Sequence, residues 1–558
     1  MLLTAWLYCA LKRDREDGPG AAQVGPRGSD AFFGLAMSAV VFAGRWPFLF
    51  YRTYFNPDES QQIAGAITLA HRHWFWAAVD GHTAGPMDFY YLCLPSLWGG
   101  AVDYTTARAS GLALICGTLF FVYKLFRFYT PVAVARVAIF PLVLFFTWVT
   151  DDDFVEISTE HMPVFLISAG SYFFLRPIFR GADSRARARS WFLAGLAFGL
   201  APWAKLQASV AVLLALGVAI GWGVAKLRPF SRRNVFRTAL PFIFGLSLPT
   251  LFFGGVIISL GQEQTFYQSY LAANLDYTYR GTAKFYLLSE LWFFACESGF
   301  FPILFLGAGI STIVAVWRSR SQQVPVDSAL KWFFGYAGAA FLTVISPGRP
   351  FLHYLLFMVP GLGLLAGAAW VQTLKIQKKS SQNPPSGYAA SRPALPSGSL
   401  FLVLWFFAFF AVRSLFPVPF RGVLSAEWTR PASRLASVAA RYLYPGESVA
   451  LWGWRPDVYV ELQAPQGVRD AHTQREIEDT PFRPYYRQRY LADLTQNQSV
   501  AFIDVVSCKA FVFLDRQRFG FETFPELRAY VAAHYSLIDD SALGRIFIRN
   551  DRASVHPR

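Results

Sequence analysis

The chain of 558 residues is 54% hydrophobic and 17% aromatic, only 16% charged, with a formal charge of +15 and a mean hydropathy of +0.32. It is too apolar for an ordinary soluble protein of this length. Nor does the positive charge point to nucleic acid, because the basic residues sit in short clusters between apolar runs, the pattern of membrane topology signals.

Those runs are continuous for ~17 to 22 residues and do not alternate, so the spanning element is a helix and not the strand of an outer-membrane barrel. Four of the five cysteines (Cys9, Cys93, Cys116, Cys296) lie in or beside apolar runs and Cys508 lies near the end. They show neither metal-ligand spacing nor a disulfide framework, and are expected to pack as small hydrophobes. The opening "MLLTAWLYCALKRDRED" places its apolar part before its charges and shows no small-residue cleavage site, so it is expected to stay attached.

In chain order, spans are expected near 32–50, 107–126, 133–150, 162–178, 191–203, 206–225, 237–260, 287–317, 330–346, 351–372 and 398–416. The basic clusters "KLFRF", "RGADSRARAR", "KLRPFSRR", "WRSR" and "KIQKK" all fall on one side, the cytoplasmic one, provided "FYYLCLPSLWGG" from Phe89 lies at the interface without crossing. The fold class is then an α-helical polytopic membrane protein of the inner membrane with about eleven spans plus interfacial helices. Its transmembrane domain covers 1–416, and 417–558 form an extracytoplasmic α/β domain.

This parity puts every loop rich in acids, amides and aromatics on the outer face: 51–88, "TDDDFVEISTEHMP", "PWAK", "GQEQTFYQSYLAANLDYTYRGTAKF" and "SPGRPFLHY". Polar groups gathered on one face of a membrane protein mark the face where something is bound or transformed.

In "YFNPDESQQIAGAITLAHRHWFW", Asn56 suits an N-cap, Pro57 the first helical position, and Glu59 the third, where its carboxylate reaches back in a capping-box arrangement. Ile63, Ile67, Ala70 and Trp74 follow at helical spacing, which reads as a helix lying along the membrane surface. Asp58 is left over, either as a partner for the helix dipole or for chemistry.

An Asp-Glu pair after the first span, then "VDGHTAGPMDFYY", "STEH", "GLAPWAKLQA" and "PGRPFLHYLLFMVPGL", together resemble the GT-C membrane glycosyltransferases. The nearest group includes the protein O-mannosyltransferases, the lipid A aminoarabinose transferases and their bacterial relatives. The resemblance covers residues 30–372 and rests on the order and sidedness of the motifs. It implies a glycosyltransferase that passes a sugar from a polyprenyl-phosphate donor to an extracytoplasmic glycolipid, polysaccharide or protein, with Asp58 at the position of the family's proposed base. It also implies substrate contacts from Asp80, His82 and Thr83, and a direct site role for Glu160 and His161.

Such chemistry needs a base for the acceptor proton and cations for the departing phosphate. Lys205, Arg349 and His353, each at the outer end of an expected span, are the candidate cations, with Tyr354 beside them. The competing readings are a snorkelling lysine, a surface arginine, a packing histidine and an interfacial tyrosine. The acidic loop with Asp151, Asp152, Asp153, Glu156, Glu160 and His161 admits three readings: helix capping, sugar hydrogen bonding, or a divalent cation, which no spacing demands.

After 416 the pattern changes to short β-like runs at "SVALWGWRPDVYVEL", "SVAFIDVV", "AFVFLD" and "GRIFIRN", with a helix at "FPELRAYVAAHY". Trp452, Trp454, Tyr459, Tyr485 and Tyr486 are either sugar-stacking or core aromatics. The Pro/Ser-rich "KKSSQNPPSGYAASRPALPSGS" reads as a mobile linker. A transporter or flippase is the second class, disfavoured by the lack of broken-helix pairs or repeats. A lipid-linked glycan ligase or polymerase would share the outer-face chemistry.

Overall fold

The computed structural model describes residues 29–50, 56–180, 183–226, 232–382, 397–415 and 432–554. The N-terminal segment, most of the Pro/Ser-rich linker and the expected boundary at 416–417 lie outside the described residues. The molecule is a helical membrane protein with a small sheet towards its C-terminus. Its chain divides into two compact units, one of residues 1–48, 111–252 and 278–420, the other of 49–110, 253–277 and 421–558.

Eight described helices are long and apolar enough to cross a membrane: Ser29–Phe50, Tyr104–Phe126, His161–Arg180, Ala239–Ser259, Phe300–Ser321, Ser328–Ile345, Leu352–Ser380 and Gly398–Leu415. Shorter apolar helices occupy Val132–Trp148 and Ala208–Gly217. Every expected span therefore meets a helix, but with altered ends. The expected 287–317 span is two helices, Lys284–Ser298 and Phe300–Ser321, because Gly299 sits at φ +70° and ends the first, a conformation that favours glycine. The helix expected at 191 begins at Ser184, where the Asp183 carboxylate accepts the Ala186 amide proton at 2.7 Å. The "FYYLCLPSLWGG" stretch forms only a helix at Pro86–Cys93 and a 3₁₀ turn at Leu94–Trp98, too short to span.

In the first unit the most enclosed element is the helix Met358–Gln382, preceded by a 3₁₀ turn at Leu352–Phe357. It packs on Phe300–Ser321 and Ser328–Ile345, and its glycines permit close approach. A side chain at Gly367 would meet the Phe126 ring and the Ala138 carbonyl. Small residues bring membrane helices together where no hydrophobic effect drives them. The helices Ser184–Ala204 and Arg232–Ser259 cross in the same way through Gly195, Gly199 and Gly245.

The second unit is built on a sheet ordered β1-β2-β4-β3, from β1 (Val449–Trp452), β2 (Ala501–Asp504), β3 (Tyr535–Ser541) and β4 (Gly544–Arg549). β1 and β2 are parallel, and β4 pairs antiparallel with both β2 and β3. Strand side chains alternate between two buried layers. Val449, Leu451, Ala501, Ile503, Ile546 and Ile548 face one core. Ala450, Trp452 and Phe502 face the other, with Tyr490, Leu494 and Leu527 from helices Arg483–Asn497 and Pro525–His534.

Three expectations change here. "DVYVEL" continues not as strand but as a helix, Asp457–Leu462. "AFVFLD" forms no strand, whereas Tyr535–Ser541, which the sequence pattern did not mark, does. The helix Pro57–His71 is not a surface helix: ten of its residues, from Glu59 to Leu69, are buried. It packs on Asp457–Leu462, with Ala64 in the core beneath the sheet. Its apolar stripe answers protein and not lipid.

Candidate functional site

Buried polar constellations occur in both units. In the first, the loop before His161 and the residue after Ala204 come together because the helices His161–Arg180 and Ser184–Ala204 form an antiparallel hairpin. Lys205, 3% exposed, donates to the Thr159 hydroxyl at 2.7 Å and forms an ion pair with Glu160. Its ammonium lies 4.5 Å from the centre of the Tyr354 ring, a cation–π contact strengthened by burial.

His353 adds a third group: its Nδ1 is 3.0 Å from Asp153 Oδ1 and its Nε2 is 4.0 Å from Glu160 Oε1. Burial pushes the Glu160 carboxyl up, but Lys205 and then His353 outweigh it and hold the acid below its usual range. Lys205, His353, Tyr354 and Glu160 are thus one cluster. Asp153, which sequence reasoning ranked below Glu160 and His161, belongs to it as well.

The remaining candidates of this unit lie on the same loops in the chain. His161 Nδ1 accepts from the Ser158 amide at 3.1 Å, fixing the turn that presents Glu160. Asp152 is exposed in the first turn of the short helix Asp152–Val155. Arg349 is half-buried three residues before the Leu352–Phe357 turn. The loop as a whole is pinned by Arg45, whose Nε and Nη2 donate to the Phe146 and Phe154 carbonyls, each at 2.7 Å. Sequence reasoning passed over Arg45, though a charge inside an expected span is itself a signal of a buried partner.

In the second unit, Asn56 caps the helix Pro57–His71 as expected, accepting from the Asp58 amide at 2.9 Å. The two adjacent carboxylates then part company. Asp58 is exposed, whereas Glu59 is fully buried and held by Arg108, with Nε–Oε1 2.9 Å, Nε–Oε2 3.1 Å and Nη2–Oε2 2.7 Å. The partner shown for Glu59 is this forked guanidinium, not the capping-box amide expected from spacing. Ser60 shares a 2.8 Å hydrogen bond with the Tyr104 hydroxyl beside them. Arg108, in the first turns of the Tyr104–Phe126 helix, carried the same overlooked signal as Arg45, a charge inside an expected span.

Further along this unit, the Asp80 amide donates to the Arg469 carbonyl at 2.8 Å, and His82, at φ +57°, points Nε2 to Asp470 Oδ1 at 3.0 Å. Thr83 beside it is half-buried. Asp80, His82 and Asp470 offer donor atoms within 4.8 Å of one another, a spacing open to a metal ion. The acidic loop at 151–161 shows no such group among the described residues. Yet Arg489 donates to both Asp470 oxygens at 2.7 Å and lies 2.8 Å from Asp80 Oδ2, so a guanidinium already neutralises the place. Burial pushes the Asp80 carboxyl up, but Arg489, Arg475 and His82 together hold it far below the usual range. Glu476 goes the other way, raised by burial and then by Asp470.

The aromatic candidates divide too. Trp452, Tyr459 and Tyr486 are fully buried in the second unit and are core residues, not stacking platforms. Trp454 is half-buried and stacks on His472 at 4.0 Å, and Tyr485 lies under Arg489 at 5.5 Å.

No protein-family model matches the sequence, and no curated protein matches it. Among solved structures, ArnT from Cupriavidus metallidurans in the apo state aligns over 93% of this chain and 97% of that one, with a TM-score of 0.54 at 15% identity. The same protein bound to undecaprenyl phosphate aligns over 94% and 98%, with a TM-score of 0.50 at 14% identity. An oligosaccharyltransferase from Archaeoglobus fulgidus in the apo form covers 87% and 70%, with a TM-score of 0.48 at 12% identity. The chain has the GT-C polytopic membrane fold of ArnT.

Proposed function

We propose that this protein is an inner-membrane glycosyltransferase that moves a sugar from a polyprenyl-phosphate donor to an extracytoplasmic acceptor, a glycolipid, polysaccharide or protein. Asp58 is the general base, and residues 417–558 are extracytoplasmic. The shared fold supports the class, since one of the ArnT structures holds undecaprenyl phosphate. The observation that carries the base assignment is the contrast in the second unit between an exposed Asp58 and a Glu59 consumed by Arg108.

In the reaction the acceptor oxygen attacks the anomeric carbon as the bond from that carbon to the phosphate oxygen breaks. Asp58 takes the acceptor hydroxyl proton, and polyprenyl phosphate leaves with the bonding electrons. Attack opposite to the leaving group inverts the anomeric centre. Lys205, Arg349 and His353 are assigned to the phosphate, whose growing negative charge they stabilise. Tyr354 keeps the Lys205 ammonium directed.

The test is turnover of purified Asp58→Asn and Glu59→Gln on a polyprenyl-phosphate sugar. Asp58→Asn keeps the helix start and loses roughly 10² to 10⁴ in rate at unchanged stability. Glu59→Gln removes the charge from the buried fork with Arg108 and loses about 3 kcal/mol or more of stability, while the folded fraction still turns over. Parental turnover in Asp58→Asn would overturn the assignment.

A further inference from the structure

The hairpin of His161–Arg180 and Ser184–Ala204 has a second end. Twenty residues of helix rise ~30 Å, one hydrocarbon thickness, so the Arg180 and Ser184 ends of these helices lie about that far from Glu160 and Lys205. There the first unit has a cleft of about 690 Å³ lined by Arg176, Arg185, Arg189 and Asp183. An adjoining one of about 340 Å³, lined by Arg180 and Lys124, shares Arg176 and Asp183 with it.

Arg176 and Arg180 are four residues apart on one helix, and Arg185 and Arg189 four apart on the other, so each pair of like charges shares a face and repels. None of the four makes an ion pair among the described residues. The neighbouring charges are already engaged: the Asp183 carboxylate caps its helix through the Ala186 amide, and Lys124 is paired with Asp30. The Ser190 hydroxyl is also spent, on the Phe173 carbonyl at 2.9 Å. What remains among the described residues is four guanidinium forks around an open volume with the single Asp183 carboxylate between them, a net positive charge.

We propose that this arginine-lined cleft binds a phosphate-bearing anion, the group that guanidinium forks match best. Its position one bilayer thickness from Lys205 puts it at head-group depth, where basic pockets between helices take anionic phospholipids. A soluble polyphosphate carries the same chemistry. The site is independent of the transfer reaction. Arginines serving only as topology signals need no cleft, and that difference is measurable.

The experiment is native mass spectrometry of the purified full-length protein titrated with phosphatidylglycerol, with phosphatidylcholine and with inorganic pyrophosphate. The expected result is a preference for phosphatidylglycerol over phosphatidylcholine of about tenfold or more, the size of one charge-assisted contact. The preference is lost in Arg180→Gln/Arg185→Gln and in Ala186→Trp, which partly fills the cleft with an indole at a position that lines both volumes. Arg180→Lys/Arg185→Lys keeps the charge count, and with it topology and folding, and gives an intermediate preference. Pyrophosphate that displaces the lipid names a soluble source, and pyrophosphate that does not names the lipid. The proposal is overturned if the parent binds both lipids alike and no pyrophosphate, or if the filled and neutralised variants bind phosphatidylglycerol as the parent does.

Discussion

The Lys205 cluster of the first unit and the Arg489 network of the second are both buried and both balance acids with a cation, but they do so with different hardware. Lys205 is a point charge on a flexible stem, shared among Glu160, the Thr159 hydroxyl and the Tyr354 face. Arg489 is a rigid fork fixed at 2.7–2.8 Å on two aspartates at once. An ammonium with several soft partners can exchange one of them for an incoming anion, whereas a guanidinium committed in its plane cannot without leaving two buried carboxylates bare. On the proposed function, the difference separates a place able to trade charge from one that holds a loop, even though Asp80, His82 and Asp470 look more like a metal site.

The comparison breaks most readily at Arg489. Arg489→Met should destabilise the full-length protein by about 3 to 5 kcal/mol, the cost of removing one partner of a buried ionic set, seen as a large drop in thermal midpoint. The triple change Asp80→Asn, Asp470→Asn and Arg489→Met should recover part of that loss, because the two carboxylates are no longer left bare and Arg475 keeps its bonds to the Ser269 carbonyl and the Tyr486 hydroxyl. A single variant as stable as the parent would mean that the network is no lock.

Lys205→Ala sharpens the other side. Its expected effect is a tenfold to hundredfold loss of affinity for a polyprenyl-phosphate sugar, ~1.5 to 3 kcal/mol, with a smaller change in stability than Arg489→Met. Glu160→Gln should do the reverse, releasing the ammonium and tightening donor binding. If both variants bound donor like the parent while both lost stability, the Lys205 cluster would be a lock of the same kind as Arg489.

Much of this was readable in the sequence because it is carried locally. Apolar runs located the helices, and the Asn56-Pro57 pair located the start of Pro57–His71. Lys205, His353 and Tyr354 stood out as polar or aromatic groups at span ends, and the fold joins them with Glu160. What stayed hidden was carried by long-range pairing. Arg108 reaches Glu59 from 49 positions away and Arg489 reaches Asp80 from 409, so no spacing rule links them. The helix Pro57–His71 misled for a related reason: an apolar stripe states that a face is covered, not whether lipid or protein covers it. Gly299 split a long apolar run, and Glu297 and Ser298 directly before it were the polar signal of the break.

The smallest effect concerns how far an arginine can offset burial. Asp504, at the end of β2, receives Arg545 at 2.5 Å, yet burial outweighs that charge and pushes its carboxyl up to about 6, while Asp80, facing Arg489, Arg475 and His82, is driven down. A carboxyl whose pKa is raised on folding holds its proton more tightly in the native state. Its contribution is therefore complete below the unfolded value near 4 and is lost as pH climbs through about 6. Parent stability, followed by thermal midpoint in detergent, should fall across that window at no more than about 1.4 kcal/mol per pH unit, the limit for one proton. Asp504→Asn removes the titrating group and should flatten the profile there. A parent profile that instead stayed flat there and rose with pH below about 4, with that rise abolished in Asp504→Asn, would show that Arg545 governs Asp504 as Arg489 governs Asp80. Two cations on one acid would then not be needed to overcome burial.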